Sequence, residues 1–296
     1  MSTAIAGQYA ELKPARTWLE LGARVLAQAG IESATLDASL LLAEACGAER
    51  ARLLAGLAEV KPGQALRFKS LLARRAAREP LAYILGRKEF FSMELLVSRR
   101  VLIPRPETET LVEAALSWAR SRPLERILDL GTGCGAIALA LARHLPEAQI
   151  VATDICAAAL ALARRNALRL GCAERIEFRR GDLWSALEGA GEKPQSFDLV
   201  LANPPYIAQG DFDRLPPEVK SYEPEIALLG GADGLAYYRK IARGLPGHLV
   251  SGGRVAFEVG LEQADHVAQI CRQAGARDTY RIRDLAGVER VIAACF

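Results

Sequence analysis

The chain opens with apolar positions that repeat at three and four residues. Trp18, Leu21, Val25 and Leu26 recur at helical spacing, and Gly30 follows as a stop. Leu36, Leu40 and Ala43 mark a second helix ending at Gly47, and a short third piece runs over 50–55. Phe68, Leu71, Leu72 and Ala76 share one face of a fourth, between Pro62-Gly63 and Pro80. These read as a small helical bundle without a catalytic constellation, suited to docking a partner or capping the rest of the chain.

The period then changes. Phe91, Met93, Leu95 and Val97 alternate, and Val101 to Ile103 follow after Ser98-Arg99-Arg100, which predicts a β-hairpin between two domains. Pro104-Arg105-Pro106 is a rigid lead into a helix starting near Thr108. From Arg126 onward, apolar strands over 127–130, 150–154, 176–178, 197–202 and 254–259 alternate with helices over 136–144, 157–170 and up to Gln273. Residues 280–296 read as two further strands around Ala286-Gly287. The pattern predicts an α/β fold with a seven-stranded, mostly parallel, doubly wound sheet ending in an antiparallel hairpin. The domains expected are a helical docking domain over 1–85, a β-hairpin linker over 86–107 and an α/β domain over 108–296.

Composition narrows the classes. With 296 residues, 51% of them hydrophobic and 25% charged, the chain is globular and holds about two domains. No apolar stretch approaches the roughly 20 residues that span a bilayer, and Met1 to Ala10 lacks the basic start of a signal peptide, so a cytoplasmic location is expected. A net charge of +3 without clustered basic and aromatic residues argues against stable nucleic-acid binding. The six cysteines and three histidines are scattered, so neither a metal site nor disulfides are expected.

Two motifs carry candidate chemistry. Asp129-Leu130-Gly131-Thr132-Gly133-Cys134-Gly135 lies between a strand and a helix, where glycines let a ligand approach the backbone at the switch point of an open sheet. Asp154 ends the next strand, placed to accept both hydroxyls of a ribose, and Asp182 follows the third, placed to reach an adenine edge. With Ala136 the loop also satisfies the dinucleotide pattern G-x-G-x-x-G/A, so a nicotinamide cofactor stays open here.

Asn203-Pro204-Pro205-Tyr206 follows the apolar strand 197–202. Two prolines remove two backbone donors and leave carbonyl acceptors. Asn203 adds a side-chain carbonyl, and Tyr206 a ring that can lie over a flat group. The set suits an –NH2 on a planar conjugated system. An amide nitrogen is a poor nucleophile because its lone pair is delocalised. Acceptors on both N–H groups localise that density and aim it at an incoming methyl, with in-line alignment supplying much of the rest.

Together these residues resemble the class I S-adenosylmethionine-dependent methyltransferases, and specifically the protein-(glutamine-N5) methyltransferases of bacterial peptide chain release factors. The resemblance runs through Pro80 to Gly86, Leu102 to Glu109, Asp129 to Gly135, Asn203 to Tyr206, Tyr222-Glu223-Pro224, Gly230 to Leu235 and Asp284 to Arg290. It implies that Gly131, Thr132, Gly133, Cys134, Gly135, Asp154, Asp182 and Leu183 hold S-adenosyl-L-methionine, with Asn203 near its methionine end, and that the product is S-adenosyl-L-homocysteine. It also implies that Asn203 and the Pro204 carbonyl grip a glutamine amide, with Pro205 and Tyr206 completing the catalytic segment. The partner implied is a release factor, whose Gly-Gly-Gln tip carries that glutamine and whose body docks on the helical domain; a monomer is expected. Family members carry an aromatic residue just after the third-strand Asp. Here Leu183 stands there and Trp184 follows, and either can pack on adenine.

Other acceptors remain open at this stage: a ribosomal-protein glutamine, an exocyclic adenine amine, or no acceptor at all in a module that only senses the cofactor. Arg67, Arg74 and Arg78 can meet an acidic partner or form a solvated face. Glu107 and Glu109 can line a substrate entrance or complement a helix dipole. Residues 209–234 read as a lid or substrate wall.

Overall fold

In a computed structural model, residues 13–188 and 195–296 are described. Positions 1–10, read above as lacking a signal peptide, fall outside them. Two compact units form: one contains residues up to Gly86 together with Pro217–Tyr222, the other Arg87–Pro216 and Glu223–Phe296.

In the first unit, helices Ala15–Gln28, Ala34–Cys46, Arg50–Leu54 and Pro62–Ala76 arise from the apolar spacing read above, and a short helix Leu81–Leu85 follows. Their inner faces converge on Trp18, Leu26, Leu41, Leu42, Phe68 and Leu72, with Trp18 edge-on to Phe68 at 6.3 Å. The arginines expected to face a partner or water are ion-paired within this unit while staying partly exposed. Arg67 binds Glu44 at 2.6 Å, Arg74 binds Glu79 at 2.8 Å and Arg78 binds Glu218 at 2.9 Å. Arg75, which the pattern did not single out, is the buried member and reaches Asp37 at 2.7 Å and Glu218 at 3.3 Å.

The second unit begins with a β-hairpin, Arg87–Phe90 against Met93–Leu96. The expectation that Val101 to Ile103 would form its second arm is wrong. The chain turns at Phe91-Ser92, both at positive φ (49° and 56°), a two-residue turn that usually demands glycine or asparagine. Two carboxylates support the strained turn: Glu109 accepts the Phe91 N–H and Glu89 the Ser92 N–H, each at 2.8 Å. Glu109 is thereby a turn brace rather than a substrate-entrance residue. The hairpin is also tied to the α/β core, since Asn166 exchanges hydrogen bonds with both the N–H and the C=O of Leu96.

The sheet has seven strands: β1 (Arg126–Leu130), β2 (Gln149–Asp154), β3 (Ile176–Arg180), β4 (Phe197–Ala202), β5 (Leu249–Glu258), β6 (Asp278–Arg283) and β7 (Glu289–Cys295). Their spatial order is β6-β7-β5-β4-β1-β2-β3. Strands β1 to β5 run parallel, and β7 inserts antiparallel beside β5. The chain winds outward from β1 to β3 and returns at β4, so the switch point lies between β1 and β4. Buried Leu128, Val200, Val255, Phe257 and Ile292 make the sheet's contribution to one core.

Helix Ala236–His248 is an element the sequence reading missed. Gly244, Pro246 and Gly247 in its last turns mask its period, yet Tyr238, Ile241, Ala242 and Leu245 form a fully buried stripe. Gly244 is required by a close approach: a Cβ there would lie 2.2 Å from Trp184 Nε1. Among the described residues no helix is long and apolar enough to cross a membrane, and no cluster of metal-ligating side chains occurs.

Candidate active site

The carboxyl ends of β1, β2, β3 and β4 meet in one cavity of the second unit, lined by Gly131 to Cys134, Asp154, Asp182, Leu183, and Asn203 to Pro205. The loop after β1 is shaped by its own hydrogen bonds. Gly131 and Thr132 donate to the Thr153 carbonyl at 2.9 and 2.8 Å, and Gly133 donates to Asp154 Oδ2 at 2.9 Å. Gly131, Gly133 and Gly135 take φ of 77°, 58° and 90°, where any other residue is strained. Gly135 itself does not line the cavity: its Cα faces Leu139 and Ala163, which a Cβ would approach to 3.0 and 3.2 Å. It stands at the start of helix Ala136–His144.

Asp129 is fully buried beneath the loop, where its Oδ2 accepts the Thr132 hydroxyl at 2.7 Å and the Ala138 N–H at 3.2 Å. Burial pushes its carboxyl up to about 7. Cys134 is buried too, and its thiol is pushed up to about 12, which removes it as a nucleophile. At the end of β2, Asp154 Oδ1 accepts the Cys156 N–H at 2.8 Å, so each carboxylate oxygen already holds one backbone donor while facing the cavity. Burial raises its carboxyl above the ordinary value, and the two N–H bonds oppose that rise.

After β3, Asp182 and Leu183 line the cavity, Leu183 at φ 51°. Of the two residues offered for adenine, Leu183 lines the cavity and Trp184 does not. Trp184 turns away, stacks on His248 at 4.3 Å and 17°, and donates its indole N–H to the Ile241 carbonyl at 3.1 Å.

After β4, Asn203 Nδ2 donates to Thr108 Oγ1 at 3.3 Å, whereas Asn203 Oδ1 is buried with no hydrogen-bond partner. Such an orphan acceptor is costly, and an incoming N–H donor relieves the cost. Pro204 and Pro205 form the adjoining wall. Tyr206, expected to lie over the substrate group, does not line this cavity. Its ring packs on the core, and its carbonyl accepts Gln263 Nε2 at 3.0 Å.

The sequence reading missed three polar residues here. Thr108 accepts the Asn203 amide N–H, and Glu258, buried at the end of β5, lies beside both, which act on its carboxyl as donors. Arg105 lines the cavity and is held by Glu223, whose carboxylate is 1% exposed. Glu258 closes a buried strand at its carboxyl end just as Asp154 does, and that placement was its available signal. From 209–234, only Pro224, Ile226 and Ala227 reach the cavity wall, while Pro217–Tyr222 belongs to the other unit.

A parallel sheet reversing between β1 and β4, extended by an inserted antiparallel β7 and bearing a glycine loop and a strand-end acid, defines a class I methyltransferase. A solved methyltransferase from Pyrococcus furiosus shares the fold, with a TM-score of 0.50 at 16% identity over 75% of this chain and 98% of that one. Residues 17–86 match the family described as the PrmC N-terminal domain, and residues 108–215 the methyltransferase small domain. A release factor glutamine methyltransferase of Cereibacter sphaeroides is 45% identical, covering 91% of this chain and 94% of that protein. One of Bordetella pertussis is 44% identical over 86% of this chain and 93% of its own. The chain belongs to the release factor glutamine methyltransferase family.

Proposed function

We propose that this chain transfers a methyl group from S-adenosyl-L-methionine to the side-chain amide nitrogen of the glutamine in the Gly-Gly-Gln tip of peptide chain release factors. The observation that carries this reading is the buried, unpartnered Oδ1 of Asn203 beside two prolines at the switch point. When bound, the cofactor supplies an electrophilic methyl on a cationic sulfur that is already a good leaving group.

The residues around the cavity fit that group. Gly131 and Gly133 expose backbone where a Cβ would project into open space, Asp154 takes the ribose hydroxyls, and Asp182 and Leu183 take the adenine. Asn203 Oδ1 and the Pro204 carbonyl accept the two amide N–H groups and hold the nitrogen lone pair toward the methyl. Tyr206 supports the segment from behind through Gln263. No side chain is assigned as the base, and the amide proton leaves to water. The helical domain, placed at 1–85 from the sequence, docks the release-factor body. The reaction runs in the cytoplasm on a protein partner, with the enzyme as a monomer and without stable nucleic-acid or membrane binding.

Mass spectrometry of a release factor incubated with the protein and isotopically labelled cofactor tests the proposal. A single methyl on the tip glutamine is expected. An unlabelled release factor beside a labelled ribosomal protein or nucleic acid would overturn it.

A further inference from the structure

Phe257 of β5 pairs with Ala202 of β4, so the next residues, Glu258 and Asn203, leave the sheet side by side. Glu258 is only 1% exposed, and the Thr108 hydroxyl and the Asn203 amide stand close enough to act as donors that hold its carboxyl down. Thr108 Oγ1 in turn accepts Asn203 Nδ2 at 3.3 Å. The NH2 edge of Asn203 therefore faces an acid and a hydroxyl, and its Oδ1 is left over.

The two edges of an asparagine amide are nearly the same shape, so its hydrogen-bond partners decide which edge points where. With the amide reversed, Oδ1 would meet the Glu258 carboxylate and the NH2 would confront an incoming amide donor, so both contacts would repel. We propose that Glu258 is a positioning residue for methyl transfer, locking the Asn203 amide so that Oδ1 and not Nδ2 is offered to the substrate nitrogen. The inference rests on the function proposed above and deepens it.

Burying this acid is costly. Tyr238 gives its hydroxyl to the Glu258 backbone carbonyl at 2.8 Å rather than to the carboxylate, and Oε2 has no partner. Burial pushes the carboxyl up to about 7, helped by Glu107 and opposed by Thr108, Arg290 and Asn203. The hydroxyls of Tyr206 and Tyr238 feel the same acid, and Arg105 acts on Tyr206. Ionised, Glu258 accepts from Asn203. Protonated, its O–H can donate to a reversed amide and consume the acceptor that the substrate needs. The ionised form is the active one, so turnover persists above the acid's pKa and falls as pH drops through it.

Two measurements test this. The first compares kcat and the KM for cofactor across the neutral pH range in the wild type and Glu258→Gln. The expected result is an acid limb of kcat in the wild type that vanishes in the variant, a kcat lower by about 100-fold as for a small misplacement of a reacting group, and an unchanged KM for cofactor. The second follows the Asn203 side-chain amide resonances of the wild-type protein by NMR as pH is lowered, which needs no substitution to fold. Those resonances are expected to shift with the titration of Glu258, and a pH-insensitive Asn203 amide would overturn the proposal. Release factor methylated by Glu258→Gln at wild-type kcat with the acid limb intact would sink the positioning role and leave the function standing. An Asn203 amide that follows Glu258 in a protein that leaves release factors unmodified would do the reverse.

Discussion

Asp154 holds Gly133: its Oδ2 accepts the Gly133 N–H at 2.9 Å, and so the acid ending one strand fixes the glycine loop that leaves its neighbour. Asp154→Ala removes this brace and the Cys156 N–H contact and, on the proposed reading, the ribose acceptor. Hydrogen bonds to a charged group contribute about 1.5–3 kcal/mol each. Cofactor affinity is expected to fall by about 10- to 150-fold on the strength of one such bond, with kcat at saturating cofactor much less affected. Calorimetric titration with cofactor checks this, and unaltered affinity would mean the acid is not a ligand.

Asn203→Ala is expected to show the opposite split. On the proposed reading the orphan Oδ1 meets the acceptor substrate, so cofactor affinity should stay within a few-fold while turnover falls by about 10²–10³, as for loss of one transition-state hydrogen bond. Calorimetry beside a turnover assay separates the two effects, and weakened cofactor binding with turnover preserved would refute the assignment.

Leu183 and Trp184 are adjacent and should behave differently. Leu183→Ala trims a cavity wall and is expected to weaken cofactor binding by about 3- to 10-fold, the worth of one or two buried methylenes. Trp184→Ala removes the His248 stack and the bond to Ile241, and is expected to cost about 2 kcal/mol of stability while leaving affinity alone. Thermal melts with and without cofactor distinguish them; a selective loss of affinity in the Trp184 variant would move the adenine contact to the indole.

Buried Glu258 should leave a mark on stability. Its folded carboxyl titrates near 7 against an unfolded value of about 4.3, so the folded state holds the proton more tightly. Ionising it destabilises the fold as pH rises through that window, by at most about 4 kcal/mol. Glu258→Gln has no charge to bury, so its melting temperature should gain on the wild type between pH 5 and 8, the first value inside the window and the second about one unit above it. A pH-independent difference between the two proteins would show that the acid is not buried in the folded state.

In the helical unit, Arg75 and Asp37 form an ion pair with side chains 9% and 5% exposed. Asp37→Ala leaves the guanidinium with the longer Glu218 contact at 3.3 Å and the Glu79 carbonyl at 3.2 Å. The expected cost is about 3 kcal/mol, read as faster amide hydrogen exchange along Ala34–Cys46 and Pro62–Ala76. Undiminished protection in both helices would show the pair to be dispensable.

Long periodic segments were legible from the sequence: helix Ala136–His144 and strand Phe197–Ala202 fall where the pattern places them. What stayed hidden depends on partners distant in sequence. Phe91 and Ser92 carry no turn signal of their own, and they turn because Glu109 and Glu89 hold their N–H groups. Helix Ala236–His248 is stabilised by its buried stripe despite Pro246 and two glycines. At the site, the loop and strand-end residues that line the cavity were readable from strand ends and glycines. The direction of the Tyr206 ring and the grip of Thr108 and Glu258 on Asn203 arise only when β4, β5 and the segment before helix Glu109–Ser121 meet.

The pair Pro204-Pro205 has a consequence for damaged substrate. With no N–H of its own, the wall offers lone pairs and nothing to meet lone pairs. A tip glutamine that has lost ammonia to become glutamate brings an anion against those carbonyl lone pairs. On the proposed reading the enzyme therefore passes over deamidated factors, and the methyl it leaves doubles as a certificate that the amide was intact.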